Sequence, residues 1–343
     1  MLKLRMVMSV HLGGNVMLER EHLRWIYLIL MPVVMLGLVT CNPSRSQVNG
    51  PLFPIWVDGK TGFMDQTGKA VINPQFEDAY GFSDGMARVR IGDWETRKWG
   101  YIDRTGVYVI NPLFHDAKNF SDGLAPVRID KWETSKWGYI NRAGAFVINP
   151  QFEFAGEFSD GLACVAISGK CGYIDQTGVL VIDPEFDYAR EFSDGLAVVE
   201  IDEKYGYIDR TGAYVINPQF DDAGDFSDGL APAIIGNWGT DKYGFIDSTG
   251  AFVISPQFDI ATHFSDGLAL VNIRDNWGYI DNTGAYAINT QFYWASDFLD
   301  GLALVRIFNG ENGEISKWGY IDRTGKFIWE TTESPSEEFH RWH

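Results

Sequence analysis

The unit Trp-Gly-Tyr-Ile-Asp-x-Thr-Gly recurs along the chain with nearly identical flanks, and its second residue falls at Gly62, Gly100, Gly138, Gly172, Gly206, Gly244, Gly278 and Gly319. The steps between copies are 34, 38 or 41 residues. Self-similarity at that period calls for supersecondary units that bury their apolar faces against neighbours, stacked in line or set radially, rather than for an ordinary single-core enzyme. Each copy continues through Val-Ile-Asn-Pro-x-Phe into Phe-Ser-Asp-Gly-Leu-Ala-x-Val, and segments 98–106 and 317–325 are identical, KWGYIDRTG.

Within a unit, Leu-Ala-x-Val-x-Ile, as at 124–129, alternates apolar and variable positions, the period-2 signature of a half-buried strand. Trp-Gly-Tyr-Ile-Asp reads as a second strand, and Asp-x-Thr-Gly as a turn with Asp at its first position and Gly where positive φ is needed. The third strand, x-Tyr/Phe-Val-Ile, is expected to stop at Asn-Pro, because proline cannot donate to a ladder. Residues 52–57 supply the first strand of the unit containing Gly62, so residues 51–329 hold eight three-stranded antiparallel meanders. Seven connectors of the form Asn-Pro-x-Phe-x-x-Ala-x-x-Phe-Ser-Asp-Gly separate them. Asn-Pro suits a helix cap and first turn, so the connector reads as a short helical turn, with a fourth, irregular strand as the competing reading. The 37 glycines among 343 residues and 15% aromatics fit many short strands joined by tight turns. The expected fold is an all-β array of about eight three- to four-stranded meanders, closed like a β-propeller, with an open β-solenoid as the alternative.

These motifs resemble the WG (KWG) repeat family of bacterial proteins, often exported or lipid-anchored, over residues 51–329. Asp-Gly occurs in all seven connectors and Asn/Asp/Ser-Pro in six; Thr61, Cys171, Tyr205 and Tyr243 replace the motif tryptophan, while Asn141 and Thr290 break single positions. The resemblance implies a propeller-like array with binding or interaction roles and no established catalytic residues.

The N-terminus carries the second signal. Residues 25–40, WIYLILMPVVMLGLVT, are a 16-residue apolar run preceded by Arg20 and Arg24, short for a membrane span and of signal-peptide length. Leu38-Val39-Thr40-Cys41 resembles a bacterial lipobox, which implies lipidation of Cys41, although Thr40 departs from the usual small residue. Met17 offers an alternative start. Residues 1–40 then form the signal, 41–50 a polar tether and 330–343 a disordered acidic tail. An uncleaved anchor or a cleaved soluble form are the alternatives, and all three export the repeats to the bacterial cell envelope. The net charge of −18 includes +2 in residues 1–40, leaving −20 for the remainder. A surface that acidic repels a phosphate backbone, which argues against nucleic acid as a partner.

Candidate sites divide into those inside the repeat and those outside it. The turn residues Asp65, Asp103, Asn141, Asp175, Asp209, Asp247, Asp281 and Asp322 are equivalent and each precedes a glycine-bearing turn, so they read as caps rather than as a catalytic pair, whose members need different environments. Calcium ligation lacks the required alternate-Asp spacing. The six histidines show no metal spacing, and no cofactor motif stands out. Trp99, Trp137, Trp277 and Trp318, with Tyr205 and Tyr243, are expected to be buried between units. Cys164 and Cys171 flank a Ser168-Gly169 turn; a two-residue loop would pair 164 with 173 and 171 with 166, putting the sulfurs diagonally on one face, where a disulfide or two apolar substitutions both fit. Outside the repeat, three extended turns each add a tryptophan, Trp94, Trp132 and Trp238. Insertions on one rim of a repeat protein commonly build its binding face, so these three are the candidate ligand-binding residues, against the alternative that each indole covers its own hairpin.

The expected function is an exported, lipid-anchored interaction module for a protein or glycan, not an enzyme. A propeller-type carbohydrate-active enzyme and a structural envelope spacer are the alternatives. The enzyme would need Asp or Glu residues that break the repeat to converge in one pocket, and the sequence names no such pair.

Overall fold

The computed structural model describes residues 50–92, 96–129, 136–236, 242–309 and 315–333. They contain strands, turns and bends, and no helix. Blade 1 is a three-stranded antiparallel sheet, Leu52–Val57, Lys60–Asp65 and Ala70–Phe76. Blades 2 to 8 have four strands each and span residues 78–114, 116–152, 154–186, 188–220, 222–258, 260–292 and 294–331, with strand order following chain order. The eight sheets form a ring, an eight-bladed β-propeller. The closed arrangement expected from the sequence is the one found, not the open solenoid.

The connector is extended rather than helical. Its Phe ends the outer strand of one blade, and the residue pair ending in its Ala, such as Asp116–Ala117, forms a two-residue inner strand of the next blade, except in blade 7, where the strand runs on as Ile260–Ser265. Asn-Pro does not cap a helix, and it does not stop the third strand either. That strand runs through the proline to the phenylalanine, as in Tyr214–Phe220, with a bulge: Tyr207 pairs with Ile216 but Tyr205 with Phe220. The bulge carries Asn217 and Pro218 over Gly206, so the missing proline N–H costs the ladder nothing.

Tight turns fix the rest. Asp84 and Gly85 both have positive φ (52° and 74°) between bridged Ser83 and Met86, the two-residue hairpin geometry that favours Asp-Gly. In the Asp-x-Thr-Gly turn, Asp209 Oδ1 accepts from the Thr211 N–H at 2.8 Å, the Thr211 hydroxyl at 2.6 Å and the Ala213 N–H at 3.1 Å. Asp65, Asp175, Asp247, Asp281 and Asp322 accept from the same three groups, and Asn141 caps with two. Capping is what these residues do.

The hydroxyl bond from threonine is the main reason that the carboxyls of Asp175, Asp209, Asp247 and Asp281 lie below their ordinary range. A folded-state value below the unfolded one gives stability that is present above the unfolded carboxyl range and lost as pH falls through the folded value. Burial raises Glu157 and Asp225 instead, and their contribution has the opposite sign, lost as pH rises through their folded values. The repeated caps outnumber these two, so the thermal midpoint is expected to fall as pH is lowered from neutral through about pH 4. A scan of melting temperature against pH checks this; a midpoint that rises on acidification would contradict it.

The core lies between blades. Tyr139 of blade 3 packs on Phe158 of blade 4, ring centroids 4.9 Å apart, within a cluster holding Leu124, Ile148, Ala163 and Val165. Ser-Asp-Gly adds polar links: the Ser83 hydroxyl donates to Phe120 O at 2.7 Å, and the Gly123 N–H to Asp84 Oδ2 at 2.8 Å. Trp99, Trp137 and Trp318 are buried as expected, whereas Trp277, Tyr205 and Tyr243 are only partly so.

Candidate functional site

Cys41, Trp94, Trp132 and Trp238 lie outside the described residues. The capping aspartates stay apart, one per blade, each engaged by its own turn. Cys164 pairs with Tyr173 and Cys171 with Ala166, the register that the two-residue turn implies, and both thiols are free. The Cys164 thiol donates to Ala189 O at 3.5 Å; its hydrogen bond to Cys171 is the leading cause of a Cys171 pKa lowered to about 7. Among the described residues no group of three or more His, Cys, Asp or Glu is arranged to hold a metal.

The side chains that do converge follow the connector alanine. The pairs are Lys118-Asn119, Gly156-Glu157, Arg190-Glu191, Gly224-Asp225, Thr262-His263 and Ser296-Asp297, at one structural position beside the innermost strand of successive blades. In all of them but Thr262-His263 the backbone is pinned twice. The Gly224 N–H donates to Pro232 O at 2.8 Å within the blade, and Gly224 O accepts the Tyr207 hydroxyl of the preceding blade at 2.8 Å. Tyr101, Tyr139, Tyr173 and Tyr279 make the same hydroxyl bond to Lys118, Gly156, Arg190 and Ser296. The motif tyrosine thus fixes the main chain at the axis while the side chains there vary. Tyr207→Phe would leave Gly224 O without its donor, and is expected to cost about 1–2 kcal/mol in urea unfolding. No change would mean that the bond is replaced; Phe63 and Phe245 occupy the same position naturally.

Side-chain length then shapes the axis. Glu157 Oε1 reaches back to accept the Asn119 N–H at 2.8 Å, and Glu191 Oε1 the Glu157 N–H at 3.2 Å. These long carboxylates lie over the preceding connector, and burial lowers the Lys118 amine beside them. From blade 6 onward the residues are shorter, and a depression of ≈ 250 Å³ opens. Its polar lining is Arg190, Asp222, Asp225, Thr262, His263 and Asp297, with Tyr243 at one side. Arg190 Nη1 lies 3.6 Å from Asp225 Oδ2, and the Thr262 hydroxyl donates to Asp297 Oδ1 at 2.5 Å. The Tyr243 hydroxyl donates to Asp222. Asp225 Oδ1 is buried with no donor. Burial pushes the Asp225 carboxyl up, against the pull of Arg190 and His263.

The depression was not foreseen, because its residues occupy the variable positions of the connector. The available signal is charge: positions flanked by a fixed alanine and a fixed phenylalanine carry carboxylates, two cations and a histidine in place of a repeated residue. Tyr243 in place of the motif tryptophan is a second signal, since its hydroxyl meets Asp222.

A model of the WG-containing repeat matches residues 62–93, 99–131, 137–171, 172–205, 205–237, 243–277 and 277–310. No curated protein matches the sequence. Among solved structures, the chain is similar to a eukaryotic initiation factor at 12% identity and a TM-score of 0.51, covering 82% of this chain and 85% of that one. It is also similar to a quinonprotein alcohol dehydrogenase-like protein from Bacteroides thetaiotaomicron at 10% identity and 0.44, covering 82% and 75%. A third likeness, to Kluyveromyces lactis Hsv2p, stands at 8% and 0.45, covering 70% and 91%. At these identities the first speaks for the fold alone. With seven matched repeats over most of its length, the chain belongs to the WG-containing repeat family.

Proposed function

We propose that the protein is an exported binding module, held at the bacterial cell envelope by a lipid on Cys41, which presents its propeller to a protein or glycan and carries out no chemistry of its own. The observation that carries this reading is a division of labour among residues. Those shared by every repeat are occupied by turn capping, the bulge and inter-blade bonds, while variable residues of four blades, Arg190, Asp225, Thr262, His263 and Asp297, line one depression. The strand Ala231–Ile234, which precedes Trp238 in the sequence, pairs its Ile234 with Asp222 of the depression lining. Metabolic labelling with a lipid probe is expected to mark the wild type and not Cys41→Ser. Capture of proteins or glycans is expected to weaken when Trp94, Trp132 and Trp238 are changed to alanine together. Labelling that survives Cys41→Ser would sink the anchor, and unaltered capture would remove the tryptophan turns from the binding face.

One observation favours an enzyme instead. Glu157 and Glu191 are neighbours at the axis, and burial raises the Glu157 carboxyl, the direction that suits a general acid. Hydrolysis of a glycan by the wild type, abolished by Glu157→Gln, would establish that reading over the binding one.

A further inference from the structure

Resting on the reading of the axis as a binding site, we infer that the depression between blades 5 and 8 takes the protonated amine of a small polar molecule or of a partner's lysine side chain. Size comes first. At ≈ 250 Å³ the space falls below the roughly 300–1,000 Å³ of pockets for drug-sized ligands, so it suits an amino-sugar-sized body or one side chain. Charge comes second. Three carboxylates, Asp222, Asp225 and Asp297, face one guanidinium, Arg190, and one imidazole, His263, so carboxylates are in excess whether or not the imidazole is protonated. That balance repels phosphates and carboxylates and attracts cations.

Hydrogen-bond accounting narrows the class further. Asp222 is spent on the Ala223 N–H and the Tyr243 hydroxyl. Asp297 gives one oxygen to Thr262. Asp225 lines the depression with its Oδ2 3.6 Å from Arg190, and its buried Oδ1 receives no donor, an arrangement that costs free energy until a ligand supplies one. A metal ion is a poor fit, because no metal-holding group of carboxylates or imidazoles is present among the described residues. A neutral sugar would satisfy the acceptor but gain nothing from the excess negative charge. An ammonium does both, and its charge would favour the ionised form that burial disfavours at Asp225.

The test is calorimetric titration of the full-length protein with two matched pairs. Glucosamine against glucose probes a free ligand, and a short lysine peptide against its acetyl-lysine counterpart probes a side chain. One ammonium probe is expected to bind at least about tenfold more tightly than its neutral partner, and Asp225→Asn to remove about tenfold or more of that binding. Asp297→Asn, at the edge of the same space, is expected to weaken it less, and it reports independently should Asp225→Asn fold poorly. Which pair responds assigns the source. If no ammonium probe binds, or the neutral partners bind as well, the inference is overturned. Neutral binding that is lost in Asp225→Asn would overturn the amine alone and keep the axis as a binding site; probes indifferent to both substitutions would remove both.

Discussion

Gly206→Ala is expected to cost about 3 kcal/mol or more, enough to leave a large unfolded fraction in a protein of ordinary stability. A Cβ there would sit 2.6 Å from Ile216 O, 2.7 Å from Pro218 N and 2.9 Å from Asn217 C. All three are backbone atoms, so no side chain can swing aside. To make room, the bulge must lift from the second strand and take with it the pairing of Tyr205 with Phe220, a fully buried ring of the blade 5–6 core. Gly195→Ala is the control. Gly195 has φ +77° but nothing within 4 Å of the added carbon, so only the left-handed strain of about 1–2 kcal/mol applies. Urea midpoints of the two variants measure the difference. Equal losses would show that the motif glycine serves backbone conformation rather than the close approach of the bulge.

That glycine illustrates what the sequence discloses and what it hides. Its recurrence, with alternation in the flanking strands, is enough to count eight units and to place Cys164 opposite Tyr173. Short-range chemistry of this kind is legible because cause and effect sit within a few residues: Asp209 and the turn it caps are four positions apart. The connector was harder. Its inner strand is two residues long in every blade from 2 to 8 but blade 7, too short to show alternation, and Pro218 falls at a bulge, where the usual rule against proline in a ladder does not apply. The axial site was hidden for another reason. Arg190, Asp225, His263 and Asp297 lie in four different repeats, and only closure of the ring makes them neighbours. In one repeat each is an unremarkable variable residue.

Ring closure sets the second large expected effect. Within the described residues every strand of blade 1 comes from the start of the array and every strand of blade 8 from its end, so no shared sheet joins them. Side chains do it. Phe53 packs on Tyr320 at 5.5 Å and Trp56 on Trp329 at 6.4 Å, in a cluster with Leu302, Leu304 and Trp318. The Tyr320 hydroxyl donates to Pro54 O at 3.0 Å, and Gln66 Nε2 to Asp300 O at 2.8 Å. In blades 2 to 6 and 8 the carbonyl equivalent to Pro54 O, such as Pro126 O, accepts from the inner strand's own chain. Blade 1 has no such strand among its described residues, and tyrosine serves that carbonyl instead. Trp318→Ala is therefore expected to cost about 3–5 kcal/mol, the range for a buried indole, and to do so at the joint that holds the ring shut. Deleting one whole unit, residues 172–205, is a stronger test. An open stack loses one layer and keeps its neighbour contacts, so it should stay folded with modest loss. A closed ring of seven must bring Phe53 and Tyr320 together across a changed curvature, and is expected to lose its cooperative thermal transition or to associate. A monomeric deletion variant that melts as sharply as the parent would show that the seam adds nothing to the fold.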